Sequence, residues 1–259
     1  MSGFFASKWS GFALIALLLA GWELLARSGV VATVAFPSFT RVFDAFWTLV
    51  STGQMTGLLL PSLARLFAGY LIAVALGVAL GVLMGYFRQA YVLFEPLTEL
   101  LRPIPSPAYV PIAILFLGLG NEMKIFTIAF SCFFPVLLNT YSGVRAVDVI
   151  QINTARTFGK GAGATLRKVI LPAALPQIFT GMRIALAIAL IMVVISEMVA
   201  SVDGIGYFIL NAQRSFRVPD MYAGVITLGL LGYALNALFV WLERHVLRWH
   251  IDANRREVA

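Results

Sequence analysis

One cysteine, two histidines and a charged fraction of only 12% are all that 259 residues offer to the usual chemistry of a soluble enzyme. A lone thiol, Cys132, within an apolar run excludes an intrachain disulfide and a thiolate metal cluster, and reads as an inert core side chain. His245 and His250 stand in a basic tail with no acidic or cysteine partner at ligand spacing, so no metal site is expected. No nucleophile, base and orienting acid can be assembled. The glycine-rich stretch from Gly159 through Lys160 and Gly161 to Thr165 invites a phosphate-loop reading, but Lys160 is followed by glycine where that loop requires Ser or Thr, and no strand precedes it. Neither catalysis nor nucleotide binding by this chain is expected.

What is present is hydrophobic surface, at 60% of the residues. That composition matches a chain facing lipid, an integral membrane protein. Apolar runs cover residues 11–26, 66–87, 108–119, 124–141, 178–200 and 221–242, against the roughly 20 residues a spanning helix needs. About six transmembrane helices in one all-α domain over 1–259 are the expectation. The short third run is extended backwards through residues 91–101 across Pro103, Pro105 and Pro107, giving one long, kinked crossing; an interfacial helix followed by a re-entrant half-span is the alternative. The first run continues through Trp22 and Glu23 without a small-residue cleavage site, so it reads as an uncleaved span.

Lys and Arg orient the chain, because short loops rich in them stay in the cytoplasm. With both termini inside, twelve basic residues, Arg88, Arg145, Arg156, Lys160 and Arg256 among them, lie on the cytoplasmic side; only Arg27, Arg41, Lys124, Arg214 and Arg217 lie outside. The net charge of +7 therefore follows topology, and its partner is anionic membrane lipid rather than nucleic acid. Residues 28–60 form the longest outer connection, where Arg41 to Trp47 suits a short amphipathic helix on the outer surface. Gly77, Gly81 and Gly85 recur every four residues in the second span, a stripe without side chains that admits another helix closely. Gly204 and Gly206 permit tight turning in the outer loop before the last span.

Two features carry functional weight. The largest inner loop, residues 142–177, contains a polar, charged helical hairpin in which Gly159 ends one helix and Leu171-Pro172 the next; its apolar residues Phe158, Leu166, Val169 and Ile170 suit docking to a soluble partner. Glu197, an acid within the fifth span, either lines a pathway, bonds a neighbouring helix or reaches the interface. Arg183 near an inner end reads as snorkelling to water, and Glu23 as lying at the outer boundary.

The hairpin resembles the coupling motif of transmembrane permease subunits of ATP-binding-cassette importers, in their nitrate/sulfonate/taurine-type branch. That motif is Glu-Ala-Ala, three residues, Gly, nine residues, Ile, one residue, Leu-Pro. Asn153, Thr154 and Ala155 take the first three places, with Asn153 where the family has an acid. Gly159, Val169, Leu171 and Pro172 take the rest at intact spacing. Other stretches agree with the same branch, including Ser62-Leu63-Ala64-Arg65, Leu101-Arg102-Pro103-Ile104-Pro105, Phe133-Phe134-Pro135 and Gly204-Ile205-Gly206-Tyr207.

The resemblance implies a type I importer permease fold, with a family core of about 58–245 and a coupling surface of Asn153, Thr154, Ala155, Arg156, Phe158, Gly159, Leu166, Leu171 and Pro172. Glu197, Pro105 and Phe134 are its candidate pathway or gate positions. It also implies a homodimer of permeases, two cytoplasmic ATPase subunits that use ATP and Mg, and a periplasmic or lipid-anchored substrate-binding protein, at the bacterial inner membrane. The cargo it implies is a small anion such as nitrate, a sulfonate or taurine, or bicarbonate. A vitamin precursor or aromatic acid would use the same architecture. A secondary transporter would show inverted repeats and charge at mid-membrane, and neither is evident in the sequence.

Overall fold

The computed structural model describes residues 8–30 and 35–249, and among them every regular element is helical. In chain order these are α1 (Lys8–Arg27), α2 (Phe39–Ser51), α3 (Gln54–Tyr86), α4 (Arg88–Leu101), a 3-10 turn (Ser106–Ala108), α5 (Tyr109–Leu117), α6 (Asn121–Arg145), α7 (Val149–Thr157), α8 (Ala162–Thr165), a π turn (Leu166–Ile170), α9 (Leu171–Ala200), α10 (Ile205–Arg214) and α11 (Val218–Val246). Arg255, Arg256 and His250 lie outside the described residues.

Four helices among the described residues are long and apolar enough to cross a membrane: α3, α6, the continuous run Ala162–Ala200 and α11. The 20-residue α1 occupies the first of the six apolar runs. The remaining run is broken rather than one continuous kinked helix, a form open to both expected readings, a single crossing or a re-entrant half-span. It is a pair of helices bent by 84° between Arg88–Leu101 and Ser106–Leu117. Pro103, Pro105 and Pro107 explain the sharpness, since three missing N–H donors within five residues leave no helical ladder to continue. At about 1.5 Å per residue, α5 alone reaches less than half of a hydrocarbon core.

The chain divides into two compact units. The first comprises residues up to Pro61 together with Asp203–Leu230. Its core gathers Leu49, Met55, Ile205, Phe208, Ile209 and Ala223. The amphipathic helix expected around Arg41 to Trp47 is α2, which buries Val42 and Leu49 and leaves Phe43 and Trp47 exposed. Glu23 accepts hydrogen bonds from the Thr40 N–H at 3.1 Å and pairs with Arg27. Gly204, with φ +94°, makes the turn that starts α10.

The second unit comprises Ser62–Val202 and the chain from Leu231 onward. Its centre is α6, which packs α3 on one face and α9 on another. Ideal Cβ atoms at Gly69, Gly77, Gly81 and Gly85 would lie 2.7, 2.9, 2.6 and 2.6 Å from the Cβ atoms of Ile128, Val136, Thr140 and Val144. The partner advances as the glycine does, so α3 and α6 run parallel and in register, backbone almost on backbone. On the α9 side the register is antiparallel: Gly143 receives Gln177 at 2.8 Å, and Gly181 receives Asn139 at 2.6 Å. Leu66, Ile128, Cys132, Val136, Ala185 and Met192 fill the core between these helices. Cys132 is buried with its Sγ 3.2 Å from the Ala185 carbonyl oxygen.

Candidate functional site

The hairpin begins where α6 ends. Asp148 caps α7 by accepting from the Ile150 N–H at 2.8 Å, which satisfies one orphan donor of the first turn. At the other end the Gly159 N–H donates to the Arg156 carbonyl and the Lys160 N–H to the Ala155 carbonyl, at 2.9 and 3.0 Å. With Gly159 at φ +71° this is a Schellman closure, which needs a left-handed residue at the position the motif fills with glycine.

The second half of the hairpin differs from the sequence expectation. Leu171-Pro172 does not end a helix. The chain runs helically from Ala162 to Ala200, and the π turn of Leu166–Ile170 lies just before Pro172. A proline ring collides with the carbonyl four residues back and removes a donor, and widening that turn accommodates both defects without a break. The hairpin is therefore one short helix, α7, strung between two long ones.

Its exposed face is apolar where solvent would favour charge. Val149, Ile150 and Phe158 are 65, 71 and 78% exposed, beside exposed Asn153, Thr154 and Arg156. Ala155 and Ile170 are buried, and Leu166 packs inward with Ile152 around Val144, Val147 and Ile178. Of the apolar residues the sequence put forward for docking, Phe158 projects, Val169 is half-buried, and Leu166 and Ile170 hold α7 down. Val149 and Ile150 escaped notice. The signal was an apolar pair directly after the cap residue Asp148, where the following helix has no core to bury it. Beside α7 lies an open groove of about 1070 Å³ edged by Ile150, Thr154, Phe158, Pro172 and Gln177.

At the other end of α9, Glu197 is 0% exposed. Ser62 Oγ donates to its carboxylate at 2.8 and 2.9 Å, and Arg65 Nη1 pairs with Oε1 at 2.8 Å. Arg65, 5% exposed, also donates from Nε to Asn121 Oδ1 at 2.7 Å. One carboxylate thus ties α3 to α9, and one guanidinium extends the tie to the start of α6. Ser62 and Arg65 sit three apart on α3, a spacing that puts both on one helix face.

The other two candidate gate positions have different surroundings. Phe134 is buried against the rings of Phe130 and Phe133, each 5.3 Å away between centroids. Pro105 is exposed at the 84° bend. Arg183 reaches Glu243 on α11 at 3.8 Å while staying partly exposed.

Residues 73–250 match the family model described as binding-protein-dependent transport system inner membrane component. SsuC of Bacillus subtilis, whose name assigns it to aliphatic sulfonates transport, is 34% identical over 239 residues, covering 92% of this chain and 87% of its own. The bicarbonate transport system permease protein CmpB of Synechococcus elongatus is 38% identical over 188 residues, covering 72% of this chain and 68% of its own. Among solved structures, an inward-facing MetNI methionine ABC transporter aligns with a TM-score of 0.64 at 19% identity, over 74% of this chain and 95% of that one, a likeness of fold. An amino acid ABC transporter crystallised with histidines aligns at 0.61 and 18% identity, over 78% and 97%. A hairpin with the motif's spacing, a fold that is helical throughout the described residues and these similarities agree: the chain belongs to the binding-protein-dependent transport system inner membrane component family, the permease subunits of ATP-binding-cassette importers.

Proposed function

We propose that this permease, with a second copy of itself, forms the translocation pathway for a small anion, a sulfonate or an inorganic anion such as bicarbonate or nitrate. The observation carrying the coupling half is α7, a helix closed at both ends that offers Val149, Ile150 and Phe158 to solvent. The relatives named for aliphatic sulfonates and for bicarbonate support the cargo half. A permease of this kind works with an ATPase and a substrate-binding protein. The finer assembly is two cytoplasmic ATPase subunits that hold ATP and Mg, and a periplasmic or lipid-anchored binding protein above. Both permease termini lie in the cytoplasm of a bacterial cell, as the Lys and Arg distribution requires.

In this reading, ATP closes the ATPase pair, the pair carries α7 with it, and α7 moves α6 and α9, to which it is joined at either end. The Ser62–Arg65–Glu197 tie sits at the opposite end of α9 and holds the outer gate in register. Uptake into proteoliposomes containing permease, ATPase and binding protein tests the proposal, with labelled taurine, an alkanesulfonate, nitrate and bicarbonate offered in turn. ATP-dependent accumulation of one of these is expected. Transport confined to a vitamin precursor or an aromatic acid would overturn the cargo assignment and keep the coupling assignment.

A further inference from the structure

A second cluster at the coupling end of the molecule is left unused by docking. It is built where α3 stops and α4 starts. A cavity of about 430 Å³ there is lined by Met84, Tyr86, Arg88, Tyr91, Val92 and Arg145. A neighbouring one of about 340 Å³ shares Tyr86 and Arg145 with it and continues to Arg156 and Lys160.

The cation at their junction is held in place. Arg145 Cζ lies 5.4 and 5.6 Å from the ring centroids of Tyr91 and Tyr141, and Nη1 donates to Tyr141 Oη at 2.8 Å. The two rings stack at 5.1 Å, 9° from parallel. Contact with the faces of two stacked phenols fixes a guanidinium without neutralising it. Among the described residues, Arg88, Arg145, Arg156 and Lys160 form no ion pair. The adjacent acid, Glu95, accepts the Tyr91 hydroxyl at 2.9 Å. Val92 lines the first cavity, and exposed Leu83, Phe87 and Leu93 are the immediate chain neighbours of its lining residues Met84, Tyr86, Arg88 and Val92.

We propose that this pocket binds the phosphate headgroup of an anionic phospholipid, with Arg88 and Arg145 on the phosphate and acyl chain along Leu83, Phe87, Val92 and Leu93. Guanidiniums match phosphate oxygens in pairs, and basic pockets between spans on the cytoplasmic side collect such headgroups. Inorganic phosphate has the same chemistry, but it leaves exposed Leu83, Phe87, Val92 and Leu93 uncovered, and the lipid covers them. The inference rests on the membrane reading and on the α7 end being cytoplasmic; it does not depend on the cargo.

The test uses the purified permease–ATPase complex in nanodiscs of phosphatidylcholine with phosphatidylglycerol as the probe, and native mass spectrometry to count retained lipid. Wild type should retain phosphatidylglycerol, and the Arg88→Gln, Arg145→Gln pair should retain about twenty-five-fold less, at about fivefold per cation removed. Arg88→Gln alone, an exposed change, should lose about fivefold and keeps the test open if the pair fails to fold. Equal retention in wild type and variants overturns the proposal. Displacement of the lipid by millimolar inorganic phosphate reassigns the pocket to the free ion. Loss of the ATPase subunit from the variants in pure phosphatidylcholine makes it a protein-docking face instead. Uptake assayed in phosphatidylcholine alone reads the importer function separately.

Discussion

Glu197 shows what a single carboxylate can hold. Buried with Ser62 and Arg65 of α3 bonded to it, it has lost water on every side, and removing its charge takes from the buried Arg65 guanidinium its carboxylate. Breaking a buried pair from one side costs about 3–5 kcal/mol, whereas replacing both partners with apolar residues of like volume is often neutral. Glu197→Gln in the detergent-solubilised complex should therefore lower the melting temperature, and adding Arg65→Met should recover most of the loss. A double variant as unstable as the single one would contradict that account. If the tie also sets the outer gate, the stable double variant should still transport poorly in proteoliposomes. At the hairpin, Gly159 sits at φ +71°, a region that costs other residues about 1–2 kcal/mol and β-branched ones most. Gly159→Val should fray the last turn of α7 and uncouple ATP hydrolysis from uptake, read as ATPase activity that no longer rises with loaded binding protein.

Elements divide into those legible in the sequence and those set by contacts the sequence does not display. The coupling hairpin was legible in its first half, because motif spacing and a glycine stop are local properties. Its second half was misjudged: Leu171-Pro172 looked like a terminus, but the run of apolar residues beyond it gives the helix enough packing to absorb proline in a π turn. The run through Pro103, Pro105 and Pro107 was read as kinked, and the prolines mark the break, but spacing alone does not give the 84° of the bend. The spacing of Gly77, Gly81 and Gly85 suggested close packing, and the structure supplies the partner, the β-branched face of α6. Gly81→Leu would drive a side chain into Thr140, whose Cβ is already 2.6 Å from the ideal Cβ position. Overpacking of this kind costs about 1–3 kcal/mol or more. Reduced thermal stability and reduced assembly with the ATPase are the expected readouts; an unchanged complex would mean that α3 and α6 separate freely.

For the whole molecule, the helical membrane character was legible because solvent dictates it: composition is a sum over the chain and tolerates local errors. The tie among Ser62, Arg65 and Glu197 was not, since it joins residues more than 130 positions apart, and Glu197 alone carried the hint. The assembly offers its own check. Purified from its native membrane, the permease should bring an ATPase with it in fixed stoichiometry, and Ile150→Glu on the exposed face of α7 should release that subunit while leaving the permease folded. Retention of the ATPase by that variant would move the docking face elsewhere. The parallel seam of α3 and α6 also has a genetic meaning. Every single-base missense change in a glycine codon introduces at least a Cβ, and at Gly69, Gly77, Gly81 and Gly85 that atom falls within 3.0 Å of a neighbouring side chain. In a saturation mutagenesis library under selection for uptake, these codons should survive almost exclusively as synonymous changes, while Gly57 and Gly229, with open space around them, accept alanine.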